Sequence, residues 1–239
     1  MKSRKIGIIT ATEFELTPFL QNMTVIETVP KALLQFHVGK YAEVPLVAVF
    51  CGICKVNVAI GAQILISEFD VTEIIMIGVA GAIDETLNIL DTVIADQVTY
   101  HDYAGEILTK FHPRLQQPYF ITDDLLRGRI AIANADDLTV SIGKMVTGEV
   151  FIEKEGREEI IKNQHPKCVD METASVAQVC YASGIPFAAI RSMSDTPHES
   201  GMDAFFKYAQ AAAEKSVRVL CRYLDTEFFM MKQNQTCRG

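Results

Sequence analysis

Glu73-Ile74-Ile75-Met76-Ile77-Gly78-Val79-Ala80-Gly81-Ala82 decides the fold class of this 239-residue chain. An unbroken apolar run of strand length, closed by small residues, reads as a strand buried on both faces. Three other runs have the same character: Lys5–Ala11 (KIGIITA), Val44–Phe50 (VPLVAVF) and Ile185–Ser192 (IPFAAIRS). Between them lie helical patterns. Lys55–Phe69 spaces Val56, Ala59, Ile60, Gln63 and Ile64 along one face, and Met171–Ser183 does so with Val176, Val179 and Cys180. Gly184-Ile185-Pro186 stops the second helix ahead of a strand. The 92–100 stretch (TVIADQVTY) reads as a more alternating strand, and Asp203–Leu224 as a long helix. Helices alternating with continuous apolar strands predict an α/β fold: three layers, α/β/α, around a mixed, mainly parallel central sheet. One domain is expected over residues 1–224, with a flexible tail over 225–239 that is polar after Met231.

Bulk properties narrow the function classes. There are 22 Lys and Arg against 30 Asp and Glu, a net charge of −8. That balance argues against nucleic acid, whose binding rests on phosphate neutralisation. Met1-Lys2-Ser3-Arg4 is followed by only a short apolar run, so no secretory signal is read. No stretch approaches the roughly 18 apolar residues of a membrane span, and a cytoplasmic location is expected. The six cysteines are Cys51, Cys54, Cys168, Cys180, Cys221 and Cys237. Cys51-Gly52-Ile53-Cys54 matches C-x-x-C, which admits a redox or zinc reading. A second metal-ligand pair is missing, and Cys51 closes a strand rather than opening a helix. Reduced structural thiols are the expectation, with no metal and no cofactor.

In open α/β sheets, ligands bind at the carboxyl ends of the strands. Glycines and carboxylates collect there. The first strand runs into Thr10-Ala11-Thr12-Glu13-Phe14-Glu15, and Glu73–Ile77 into Gly78-Val79-Ala80-Gly81-Ala82. Val140–Val146 runs into Thr147-Gly148-Glu149-Val150-Phe151-Ile152, and Ile185–Arg191 into Ser192-Met193-Ser194-Asp195. Gly78–Gly81 is neither G-x-G-x-x-G nor a P-loop, so dinucleotide and P-loop chemistry are unsupported. It reads as a tight strand exit, or as a place where a ligand lies on bare backbone. Glu15, Glu172 and Asp195 stand out by position. Each has a plain alternative: the outer face of a helix for Glu15, a helix N-terminus for Glu172, a turn or N-cap for Asp195.

Seven fragments in order carry a family resemblance: 6–15 (IGIITATEFE), 52–56 (GICKV), 78–81 (GVAG), 100–102 (YHD), 147–152 (TGEVFI), 169–172 (VDME) and 191–195 (RSMSD). Over roughly residues 5 to 224 the chain resembles the methylthioadenosine/S-adenosylhomocysteine nucleosidases of the nucleoside phosphorylase superfamily. The resemblance implies hydrolysis of the C1′–N9 bond of an adenine nucleoside. Asp195 is then the acid that protonates N7, and Glu15 the base that activates water. Phe151 stacks on the purine and the Ile152 backbone bonds its edge. Glu172 and Met171 hold the ribose hydroxyls, while Arg191 positions the water and Glu172. Val79, Ile53, Ser194 and Met202 complete the binding site. A homodimer is also implied, in which the partner's segment around 105–118, with Leu108 as its apolar contact, covers the 5′ tail.

A phosphorylase needs cations for phosphate. Ile75-Met76-Ile77 offers none, and Glu13 and Glu15 would repel a dianion, so water is the expected nucleophile. The sequence also departs from the family. Val79 stands where Ser or Thr is usual, Thr12 where Met is common, Cys54 where Gly is common, and Met202 where a Phe covers the 5′ substituent. The loop at 196–201 is short. Three alternatives stay open: a purine nucleoside phosphorylase, shown by phosphate dependence; an aminodeoxyfutalosine hydrolase, differing at the 5′ end; and a nucleoside-binding protein without turnover.

Overall fold

A computed structural model describes residues 4–103, 107–112, 114–153 and 156–236, with the side chains of 234–236 excepted. At its centre are four parallel strands: β1 (Ile6–Thr10) between β4 (Val44–Phe50) and β5 (Glu73–Ala82), and β10 (Phe187–Asp195) beyond β5. Their residues are almost all buried, because helices cover both faces. Parallel and antiparallel pairings extend this core. The hairpin β2 (Thr24–Lys31) and β3 (Leu34–Tyr41) adds one edge beside β4. On the other side β10 pairs with β6 (Thr92–Tyr100), β6 with β8 (Val140–Thr147), β8 with β9 (Cys168–Asp170), and β9 back with β5. These five strands close a ring. A short β7 (Tyr119–Ile121) lies against β6.

The helices are α1 (Glu13–Leu20), α2 (Lys55–Ser67), α3 (Ile107–Lys110), α4 (Asp124–Ala133), α5 (Arg157–Gln164), α6 (Thr173–Ser183) and α7 (Met202–Thr236). Two apolar clusters fill the space between helices and sheet. One takes Val58, Ala62 and Leu65 of α2 with Val176 and Cys180 of α6. The other takes Leu16 and Phe19 of α1 with Val217, Leu220 and Leu224 of α7. The three-layer expectation follows from this division.

Two expectations are corrected. The glycine stretch 78–81 is not a strand exit: β5 continues through it, because Gly78–Gly81 pairs with Arg191–Asp195 of β10 along the whole length. The tail expected from Asp225 is helical as far as Thr236. Glu227 is buried and ion-pairs with Arg4, while Phe228 and Met231 pack on the core. An apolar face spaced on the helical period holds the helix together well past Leu224. Residues 237–239, including Cys237, lie outside the described residues.

Candidate active site

β10 delivers the central cation. Arg191 is wholly buried. Its Nη2 lies 2.8 Å from Asp170 Oδ2 and 3.2 Å from Glu172 Oε2, and its Nη1 lies 3.5 Å from Glu15 Oε1. Nε donates to Thr173 Oγ1 at 3.2 Å. Burial alone would pull Arg191 below its usual value, but Asp170, Glu172 and Glu15 outweigh it and hold the guanidinium charged. One cation thus gathers carboxylates from α1, from the end of β9 and from the start of α6.

Glu15 is not on the outer face of α1. It is 2% exposed, and both of its oxygens are acceptors. Oε2 takes the Ala11 and Thr12 N–H groups at 3.0 and 2.9 Å and the Thr12 hydroxyl at 2.9 Å. Oε1 takes the Val79 N–H at 2.9 Å. This packing explains Gly78, whose φ is +147° and whose hydrogen faces Glu15 and Arg191 so closely that any Cβ would collide with both. Glu172 occupies the N-cap position of α6, yet its side chain makes no cap. Instead Oε1 accepts the Cys54 N–H at 3.0 Å. Burial pushes the Glu172 carboxyl up to about 7 against the pull of Arg191, with Asp170 adding to the rise.

Asp195, the last residue of β10, caps nothing. Its Oδ1 accepts the Ser194 hydroxyl at 3.2 Å, and its buried Oδ2 has no partner. Burial pushes this carboxyl up to about 6, against the Ser194 hydrogen bond and the charge of Arg157. Gly81 leaves room for it, since a Cβ there would meet Oδ2 at 2.9 Å. A buried carboxylic acid with one oxygen free is equipped to give a proton.

All three carboxylates line one cavity of about 250 Å³. Ile53, Val79, Phe151, Met171, Ser194 and Met202 line it as well. An adjoining recess is walled by Gly81, Phe151, Ile152 and Asp195. Arg191 sits behind Glu15 and Glu172 rather than in the wall. Leu108 is not in the cavity: it is half-buried against its own chain's core, and Gly105 and Pro113 of the same segment lie outside the described residues. Sequence reasoning passed over Phe14, Phe205 and Asp170. Phe205 meets Phe14 edge-on at 6.3 Å and Phe151 at 6.1 Å, forming an aromatic wall. Its signal was its place one helical turn beyond Met202. Asp170 adjoins the Met171-Glu172 pair, and its Oδ1 accepts the Thr147 hydroxyl at 2.5 Å.

Cys51 and Cys54 fit the structural reading. Burial pushes Cys51 up to about 12 and Cys54 up to about 11, far from the thiolate that redox chemistry needs.

Known proteins resemble this chain in sequence and in fold. Residues 5–225 match the phosphorylase superfamily. The 5′-methylthioadenosine/S-adenosylhomocysteine nucleosidase of Staphylococcus aureus strain JH9 is 31% identical over 227 residues, covering 92% of this chain and all of the relative. The chain belongs to that nucleosidase family. As a family member it is an N-glycosyl hydrolase. Solved structures are similar at the same scale. The S-adenosylhomocysteine nucleosidase of Streptococcus pyogenes, bound to 5-methylthiotubericidin, superposes with a TM-score of 0.87 at 27% identity over 95% of this chain and 98% of that one. The futalosine hydrolase of Helicobacter pylori gives 0.86 at 27% identity, over 93% and 98%.

Proposed function

We propose that the chain hydrolyses 5′-methylthioadenosine and S-adenosylhomocysteine to adenine and the free thioribose. One observation carries the reading: Glu15, Glu172 and Asp195 share a single cavity, and Asp195 also walls the recess beside Phe151. In this mechanism the purine stacks on Phe151, for about 1–3 kcal/mol per base, and the Ile152 backbone bonds its edge. Glu172 and Met171 hold the ribose hydroxyls. As the C1′–N9 bond breaks, its electron pair moves onto the purine and Asp195 delivers a proton to N7. Positive character left at C1′ is stabilised by Glu172. Water attacks C1′ and gives its proton to Glu15, and the two carboxyl groups then exchange the proton through solvent.

Water rather than phosphate is supported by charge. The cavity wall contains no Lys, Arg or His among the described residues, and the nearby Arg191 is already committed to three carboxylates. The acceptor-rich floor at Glu15 would repel a dianion.

Further parts of the reading are a cytoplasmic enzyme serving methionine salvage, and a homodimer whose 105–118 segment covers the partner's 5′ tail. Ile107 and Phe111 supply the exposed apolar surface of that segment, with Leu108 beside them. No described helix is long and apolar enough to cross a membrane. A second reading, hydrolysis of a futalosine-type nucleoside, draws on the Helicobacter pylori relative.

The test is incubation with methylthioadenosine, with and without phosphate. Adenine and free methylthioribose at equal rates in both arms support the proposal. A sugar phosphate would replace it with phosphorolysis, and bound substrate without adenine release would leave only a nucleoside-binding protein. Faster release from aminodeoxyfutalosine would favour the second reading.

A further inference from the structure

Arg157, the first residue of α5, is 9% exposed and lies outside the carboxylate cluster. Its guanidinium ties two segments together. Nε donates to the Glu153 carbonyl at 3.2 Å, just past Phe151 and Ile152. Nη1 donates to the Ala82 carbonyl at 3.0 Å, at the end of β5 and next to the Gly81 that abuts Asp195. Nη2 is buried without a partner, as is Asp195 Oδ2. A buried, charged donor left unpaired is costly, so its retention points to use.

We propose that Arg157 is a positioning residue for the purine subsite, clamping the Phe151–Glu153 segment to the end of β5 and presenting its charge to Asp195. The proposal rests on the reading of Asp195 as the proton donor. Ser194 faces Asp195 from its own strand, Arg157 from α5 and Glu153 from the segment before it, while Glu85 faces Arg157 from beyond β5. Arg157 favours the ionised acid and Glu153 opposes it. The cation therefore makes Asp195 a stronger acid and stabilises the carboxylate left after the proton has gone.

Two variants separate clamp from charge, read as kcat/KM against pH with methylthioadenosine. Asp195 must be protonated to act, so the rate falls as pH rises through its pKa. Arg157→Gln removes the charge, and its falling limb moves to higher pH by about one unit, the low end for a neighbouring opposite charge. Arg157→Lys keeps the charge and loses the two-point clamp. Its limb stays in place while KM rises about fivefold, the scale of one neutral hydrogen bond. A folded Arg157→Gln variant with an unmoved limb overturns the electrostatic part, and Arg157→Lys with wild-type KM overturns the clamp. If Arg157→Gln does not fold, Arg157→Lys carries the test, and a displaced limb there counts against the proposal. A wild-type chain releasing no adenine would instead refute the functional reading, before Arg157 is tested.

Discussion

The backbone N–H of Cys54 donates to Oε1 of Glu172 at 3.0 Å, from a residue held at φ +81°, ψ 163°. Only glycine adopts that backbone conformation without strain. The strain is retained because the amide must face Glu172 from the N-terminus of α2. Cys54→Gly keeps the amide and relieves the strain, so it is expected to stabilise the protein by about 1–3 kcal/mol with turnover little changed. Chemical denaturation midpoints would measure this. A destabilised variant would mean that the thiol contributes packing worth more than the backbone costs.

Asp195→Asn is expected to lower kcat by about 10²–10⁴-fold and to raise stability at neutral pH. The sign follows from proton linkage. Burial raises this carboxyl from 3.8 in the unfolded chain to about 6, so the native state binds its proton more tightly. The stability it contributes is fully present below pH about 4 and is lost as pH rises to about 6, at roughly 1.4 kcal/mol per pH unit in between. The neutral amide has no such loss. Melting curves of wild type and variant between pH 4 and pH 8 would show the gap opening across that window, and parallel curves would contradict the burial argument.

Glu15→Gln should reduce turnover at least about 100-fold and should also weaken the fold. Both oxygens of Glu15 accept from N–H or O–H donors on Ala11, Thr12 and Val79. A glutamine amide must turn its NH₂ toward one of these donors, at a cost of about 1–3 kcal/mol. Activity and thermal stability measured on the same preparation test both halves. Near-normal turnover would remove Glu15 from the role of base.

Met202 and Phe205 are expected to govern the 5′ end of the substrate. Both line the cavity from the first turn of α7, and Met202 is 42% exposed. Met202→Phe should change the preference between methylthioadenosine and S-adenosylhomocysteine by about 10-fold, within the reach of an apolar pocket change, with adenine inhibition unaltered. Phe205→Ala should raise KM for both, because it opens the wall that joins Phe14 to Phe151. An unchanged preference would place the 5′ group elsewhere.

Much of the site was legible as order along the chain. Buried strands show as apolar runs because both of their faces must avoid water, so β1, β5 and β10 could be placed along the chain, although β5 runs on through Val79 to Ala82 rather than ending at Ile77. The hairpin β2–β3 gave no such signal: β2 is mostly exposed, and a strand held by one neighbour's hydrogen bonds needs no apolar face. The length of α7 was missed because Glu227 looks like a solvated carboxylate until Arg4, 223 residues away, comes to meet it.

What the sequence by itself determined is therefore the alternation of elements and the α/β class, since local periodicity is a property of the chain; Glu15, Glu172 and Asp195 stood out only by their positions. Tertiary structure alone decided the surroundings of each acid. Glu15 is surrounded by donors from two strands and a loop, Glu172 shares Arg191 with Asp170, and Asp195 is buried with one oxygen unpartnered. Those differences come from burial and from contacts between segments far apart in sequence, which no local pattern encodes.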